Sequence, residues 1–158
     1  MINYVTGDAT NPMGDGHKII THVCNDIGGW GRGFVVALSN KWSQPEKTYR
    51  QCATQKPLKL GQVMFVNVEP DITVANMIAQ HDVRTINGLP PVRYEALSDC
   101  LQVVSSYALT NNASIHMPRI GCGLAGGQWI IVENIINKTM LSLQIYVYDL
   151  QNNPIQWK

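Results

Sequence analysis

Two glycine-rich segments, His22–Phe34 and Pro118–Trp129, each stand between a short apolar, β-branched run and a stretch of helical period. A chain that repeats strand, loop and helix in this way is held to α/β architectures, because parallel strands need helical crossovers to join them. Strands are predicted over Ile2–Thr6, Ile19–Cys24, Gln62–Val68, Thr73–Ala79, Ser114–Met117 and Gln144–Tyr148. Apolar residues at three- and four-residue spacing mark two helices. One carries Ala96, Leu97, Cys100, Leu101, Val104, Tyr107 and Ala108; the other carries Val132, Ile135, Ile136 and Leu143 on one face. A third helix is predicted from about Gly33 to Trp42, with Val35, Leu38 and Trp42 inward, and a short fourth over Glu46–Ala53 after Pro45. The order predicts a three-layer α/β/α sandwich around a mixed, largely parallel sheet of about six strands. In such sheets ligands sit beyond the carboxyl ends of the strands, at a topological switch point.

The chain has 158 residues, room for one compact domain but not two. Residues 1–150 are expected to form it, with 151–158 as a polar extension pinned by Trp157. Hydrophobic residues make up 45%, which sets disorder aside, and the formal net charge is +1 with Lys and Arg scattered. A basic stripe is absent, so no sequence-specific nucleic-acid partner is expected. Cys24, Cys52, Cys100 and Cys122 are far apart, and His17, His22, His81 and His116 lack ligand spacing. The expectation is therefore no disulfide framework, no metal and no cofactor. No apolar run is long enough to span a bilayer, and Met1–Val5 does not read as a secretory leader. A reduced, soluble, cytoplasmic protein is expected, with no membrane partner.

The first loop reads His22-Val23-Cys24-Asn25-Asp26-Ile27-Gly28-Gly29-Trp30-Gly31-Arg32-Gly33-Phe34, and the second packs four glycines into the seven residues from Gly121 to Gly127. Glycine lets backbone amides approach a ligand without an intervening Cβ. A helix N-terminus adds unpaired donors and partial positive charge. Each loop therefore has the makings of an anion site. Neither pattern is a dinucleotide-fold fingerprint or a P-loop. Two opposed backbone cradles suit a pyrophosphate, although this chemistry does not by itself name a nucleotide.

Three separated segments resemble the signatures of macro domains: Gly7-Asp8-Ala9-Thr10 after the first strand, the first loop, and Met117-Pro118-Arg119-Ile120-Gly121-Cys122-Gly123-Leu124. They fall in the family's order, and the resemblance spans about residues 1–150. The form of the first loop is similar to the yeast ADP-ribose 1″-phosphate phosphatase branch; the form of the second is similar to the terminal ADP-ribose protein glycohydrolase. The resemblance implies an ADP-ribose ligand. Asp8 would accept a hydrogen bond from the adenine amino group, with Ala9 beside it, and Leu150 would pack near the base. Asn25 would contact the distal ribose. Gly31, Arg32, Gly33 and Phe34 would line one side of the diphosphate, and Gly121, Cys122, Gly123, Leu124 and Ala125 the other.

Several of these residues have a second reading. Asp8 is also a natural turn or cap residue, and Asn25 could satisfy backbone groups of its own loop. His22 shares a strand face with Cys24 and is either a core histidine or a general acid or base. Asp26 is either a carboxylate beside the ribose or a solvent-facing acid. His81 opens a loop, His81–Leu89, that could lie over the cleft. Cys122 at a helix N-terminal region would have a lowered thiol pKa, but no base is placed beside it, so it reads as a small packing residue.

Departures from the family pattern matter as well. Gln80 and Ala125 stand where the glycohydrolase has its lysine and aspartate, which excludes that lysine-dependent mechanism. Three functions stay open: an enzyme that removes a phosphate, acyl or protein ester from the 1″ carbon, with His22, Asn25 or Asp26 holding water; a module that binds free or protein-linked ADP-ribose without turnover; and a regulatory domain with a degenerate cleft.

Overall fold

The computed structural model describes residues 1–151; the expected role of Trp157 lies outside them. Ten elements follow in the order β1 (Ile2–Thr6), β2 (Lys18–Asn25), α1 (Phe34–Lys41), α2 (Gln44–Gln55), β3 (Val63–Glu69), β4 (Ile72–Gln80), α3 (Tyr94–Thr110), β5 (Ser114–Met117), α4 (Trp129–Thr139) and β6 (Ile145–Asp149). They build one six-stranded sheet in the order β1-β6-β5-β2-β4-β3. Every neighbouring pair is parallel except β3 with β4, a hairpin turned by Pro70-Asp71.

Two cores sandwich this sheet. Ile19, Ala75, Met77 and Ile115 meet α3 and α4 on one face, while Ile20, Val74 and Ile78 meet α1 and α2 on the other. The central strands β2 and β4 are buried almost throughout. That is why they read as nearly continuous apolar runs rather than alternating ones. The sheet is mixed and largely parallel, as its sequence predicts.

Two helices differ in extent from the periodicity. Leu143 is buried but does not belong to α4, which ends at Thr139; a turn with Ser142 at φ 65° carries Leu143 back into the core. Helix α2 begins at Gln44, so Pro45 lies inside its first turn, where a missing N–H costs nothing.

The connections set the site. From β2 the chain runs through α1 and α2 towards β3 and β4, whereas from β5 it runs through α4 to β6 on the opposite side. The crevice between β2 and β5 is therefore the switch point, and the two glycine loops leave its two strands.

Candidate functional site

The first loop is shaped from within by Asn25, the last residue of β2. Its Oδ1 accepts from the amides of Ile27 (3.1 Å) and Gly29 (3.0 Å), and its Nδ2 donates to the Gly29 carbonyl at 2.8 Å. The Tyr49 hydroxyl from α2 stands 2.8 Å from the same Oδ1. The loop then enters α1 through Gly33, whose φ of 77° is a left-handed conformation that glycine adopts without steric cost.

The second loop folds on itself through the Gly127 amide, which donates to the Gly121 carbonyl at 2.8 Å. A Cβ on Gly127 would collide with that carbonyl oxygen. Its outer side docks on the segment before α3, where the Val92 amide donates to the Ala125 carbonyl at 3.0 Å. Arg119 at the loop's start grips Asp149 at the end of β6 in a two-pronged ion pair (2.8 and 2.9 Å), with the rings of Tyr4 and Trp129 alongside.

The loops face each other. A Cβ built on Gly33 would lie 3.6 Å from Leu124 Cδ1 across the gap. Between them runs a cleft of about 540 Å³ lined by Gly31, Arg32, Gly33 and Phe34 from one loop and by Gly121, Cys122, Gly123, Leu124 and Ala125 from the other. Among the described residues, the amides of Gly31, Arg32, Gly33, Phe34 and Val35 donate to no protein acceptor, nor do those of Gly121, Gly123, Leu124 and Ala125. A second pocket of about 530 Å³ shares Gly33, Phe34 and Pro118 with the first and extends over β1 and β6. Asp8, Ala9, Tyr148 and Leu150 line it. In Asp8, Oδ1 accepts from the amide and hydroxyl of Thr10 (2.9 and 2.8 Å), which leaves Oδ2 without a partner among the described residues.

His22 lies in the wall of the larger cleft but is 2% exposed. Its Nε2 stands 2.5 Å from Asn76 Oδ1, while Asn76 Nδ2 donates to the Pro45 carbonyl at 3.1 Å. That second bond fixes the amide's orientation, so Asn76 presents its oxygen and Nε2 of His22 carries the proton. Burial pushes the imidazole down to about 4, with Trp30 edge-on at 5.4 Å. Near neutral pH it is a neutral ring with one proton.

Asp26 lines neither pocket. Its carboxylate turns to the root of the next loop, pairing with His81 Nδ1 at 2.7 Å and accepting from the Asp82 amide at 2.8 Å. For Cys122 the expected lowering of the thiol pKa is corrected: burial pushes it up to about 11, outweighing the opposing pull of Arg119. The Sγ of Cys24 is likewise driven upward by burial.

The loop after β4 lies against the cleft, as its sequence suggests, with Val83 and Arg84 in the lining. The pairing of His81 with Asp26 escapes the sequence. The loop closes on itself through an Asn87-Gly88 turn, both residues at positive φ, with Ile86 and Leu89 exchanging amide bonds. Among the described residues no group of three or more His, Cys, Asp or Glu is arranged to hold a metal ion, and no helix is long and apolar enough to cross a membrane.

No protein-family profile matches the chain. Among curated proteins it is 33% identical to a mouse chromodomain-helicase-DNA-binding protein 1-like over 93% of its own length, but it spans only 17% of that protein. It is 26% identical to an ADP-ribose 1″-phosphate phosphatase of Candida albicans, covering 93% of this chain and 99% of that one. Among solved structures, one of a Bacteroides thetaiotaomicron protein described as of unknown function superposes with a TM-score of 0.92 at 53% identity, covering 95% and 98% of the two chains. A macrodomain protein of Streptomyces coelicolor superposes with a TM-score of 0.82 at 47% identity, over 94% of this chain and 99% of that one. With fold, switch-point cleft and near-full-length identity in agreement, the chain belongs to the macrodomain family.

Proposed function

We propose that the cleft binds ADP-ribose, free or carrying a substituent on its distal ribose. The observation that carries this reading is the pair of facing loops in which the amides of Gly31–Val35 on one side and of Gly121 and Gly123–Ala125 on the other have no acceptor among the described residues. A diphosphate laid between them would receive donors from both sides, as a dianionic linker requires. The pocket over β1 and β6 would take the adenine. There the free Oδ2 of Asp8 supplies an acceptor for the exocyclic amine, while Phe34 and Leu150 supply apolar faces. The likeness to a full-length ADP-ribose 1″-phosphate phosphatase supports the same ligand.

Hydrolysis at the 1″ carbon is the second reading, favoured by that likeness and by the Asp26–His81 pair. Asp26 holds His81 Nδ1, and the histidine side chain is 48% exposed. Such a pair can accept a proton from water at His81 Nε2, at the fixed root of the loop whose Val83 and Arg84 line the cleft. His22 suits this role less well, being neutral, buried and bonded to Asn76. Asn25 has its side-chain oxygen committed to its own loop.

The test is a calorimetric titration with ADP-ribose, run beside an assay of phosphate release from the 1″-phosphate. Binding without release supports the first reading alone. Release that is lost in His81→Gln and kept in His22→Gln supports the second. No heat at millimolar ADP-ribose would end both.

A further inference from the structure

The larger cleft is lined by Arg32, Arg84 and Arg119 and by no aspartate or glutamate. The three cations are not equivalent. Arg119 is committed to both oxygens of Asp149. Arg32 forms no ion pair among the described residues and stands in the first glycine loop, beside the proposed diphosphate site. Arg84 is set apart from both by its place in the fold.

Sheet order locates that place. Gly7, Asp8, Tyr148 and Leu150 put the smaller pocket over β1 and β6, at one side of the sheet. Strand β4 lies on the far side of β2, so the loop leaving it roofs the opposite end of the cleft. Gly33, Phe34 and Pro118, shared by the two pockets, stand between. A ligand with its base over β1 and β6 and its diphosphate between the glycine loops presents its other terminus to Arg84.

Arg84 is also held in a way that permits exchange. One bond of 3.1 Å, from Nη2 to Asp82 Oδ2, restrains a side chain that is 74% exposed. An exposed, single-pronged pair of this kind is weak. The loop's root, in contrast, is fixed: His81 and Asp82 are tied to Asp26, and the His81 amide donates to the Pro91 carbonyl at 2.8 Å. A fixed root that carries a weakly tethered guanidinium over a cleft without carboxylates is suited to receive an incoming phosphate. The guanidinium's forked donors match two phosphate oxygens, which a single bond to Asp82 does not use.

We propose that Arg84 is a specificity-determining residue: it leaves Asp82 to bind a phosphate-bearing substituent on the distal ribose, so that the cleft prefers a phosphorylated terminus to an unsubstituted one. The proposal rests on the ADP-ribose reading of the cleft.

The test compares, by calorimetry at fixed ionic strength, ADP-ribose with its 1″-C-phosphonate analogue, whose carbon–phosphorus bond does not hydrolyse. The full chain is used as wild type, Arg84→Gln and Arg84→Lys. The wild type should favour the phosphonate by about tenfold or more, as expected for a charge-assisted pair. Arg84→Gln should bring the ratio close to one, and Arg84→Lys, which keeps the charge but not the fork, should fall between. Equal affinity of the wild type for both ligands would overturn the assignment while leaving the ADP-ribose reading intact, as would an unchanged preference in Arg84→Gln. Binding of neither ligand by the wild type would overturn that reading and the assignment with it.

Discussion

At Asp8 one carboxylate oxygen shapes the turn through Thr10, and the other has no partner among the described residues; the proposed function gives it to the adenine amine. The two roles can be separated. Asp8→Asn keeps an oxygen for Thr10 but offers an NH₂ where the free oxygen stood, opposing an adenine amine. Affinity for ADP-ribose should drop about tenfold or more while the melting temperature stays put, as calorimetry and a thermal melt would show. The buried histidines make a prediction about pH. His22 and His116 are both pushed by burial to about 4 from an ordinary 6.5. A depressed histidine is neutral when folded and takes up a proton when unfolded. Stability is therefore full above pH 6.5 and falls as pH drops towards 4, by about 2 kcal/mol per histidine between pH 7 and 5. Urea melts at pH 7, 6 and 5 should show this slope, and His22→Gln should reduce it by about half, leaving the share of His116; an unchanged slope in that variant would contradict the buried neutral ring.

The glycine loops are elements whose shape depends on close backbone contact. Gly127→Ala would drive a methyl group into the Gly121 carbonyl and break the bond that closes the second loop. The substitution should cost the loop its cradle, with a loss of ADP-ribose affinity larger than any loss of stability; a variant that binds as wild type would refute the loop's role. At this scale the sequence was informative where the physics is local. The bounds of β1 and β5 match their apolar runs, and the glycines announced both loops. Local pattern could not find the end of α4, because Leu143 keeps the helical period while a turn has already reversed the chain. Nor could it find Tyr49 behind Asn25 or His81 beside Asp26, pairs separated by 24 and 55 residues and joined only by the packing of α2 and β4 on β2.

Across the whole molecule, function follows from strand order. Two cores bury both faces of β2 and β4, so the parallel strands can end together at one edge and hand their loops to a common crevice. The switch between β2 and β5 sends two amide-rich loops to opposite walls of that crevice, and the lining they form carries arginines and no acids. Fold class and the two cradles were legible from sequence because each depends on residues close in the chain. The loop over the far end was legible as a candidate, but not which of its residues meet the cleft, because Val83 and Arg84 reach it only through the placement of β4. Amide chemical shifts tell the two walls apart directly when the protein is titrated with ADP-ribose and, separately, with adenosine. ADP-ribose should move the amides of Gly31 and Arg32 together with those of Gly121–Ala125, and adenosine, whose pocket reaches only Gly33 and Phe34 of the glycine loops, should move neither of those sets to a comparable degree. Shifts confined to one loop, or an equal response to adenosine, would contradict a diphosphate held between them.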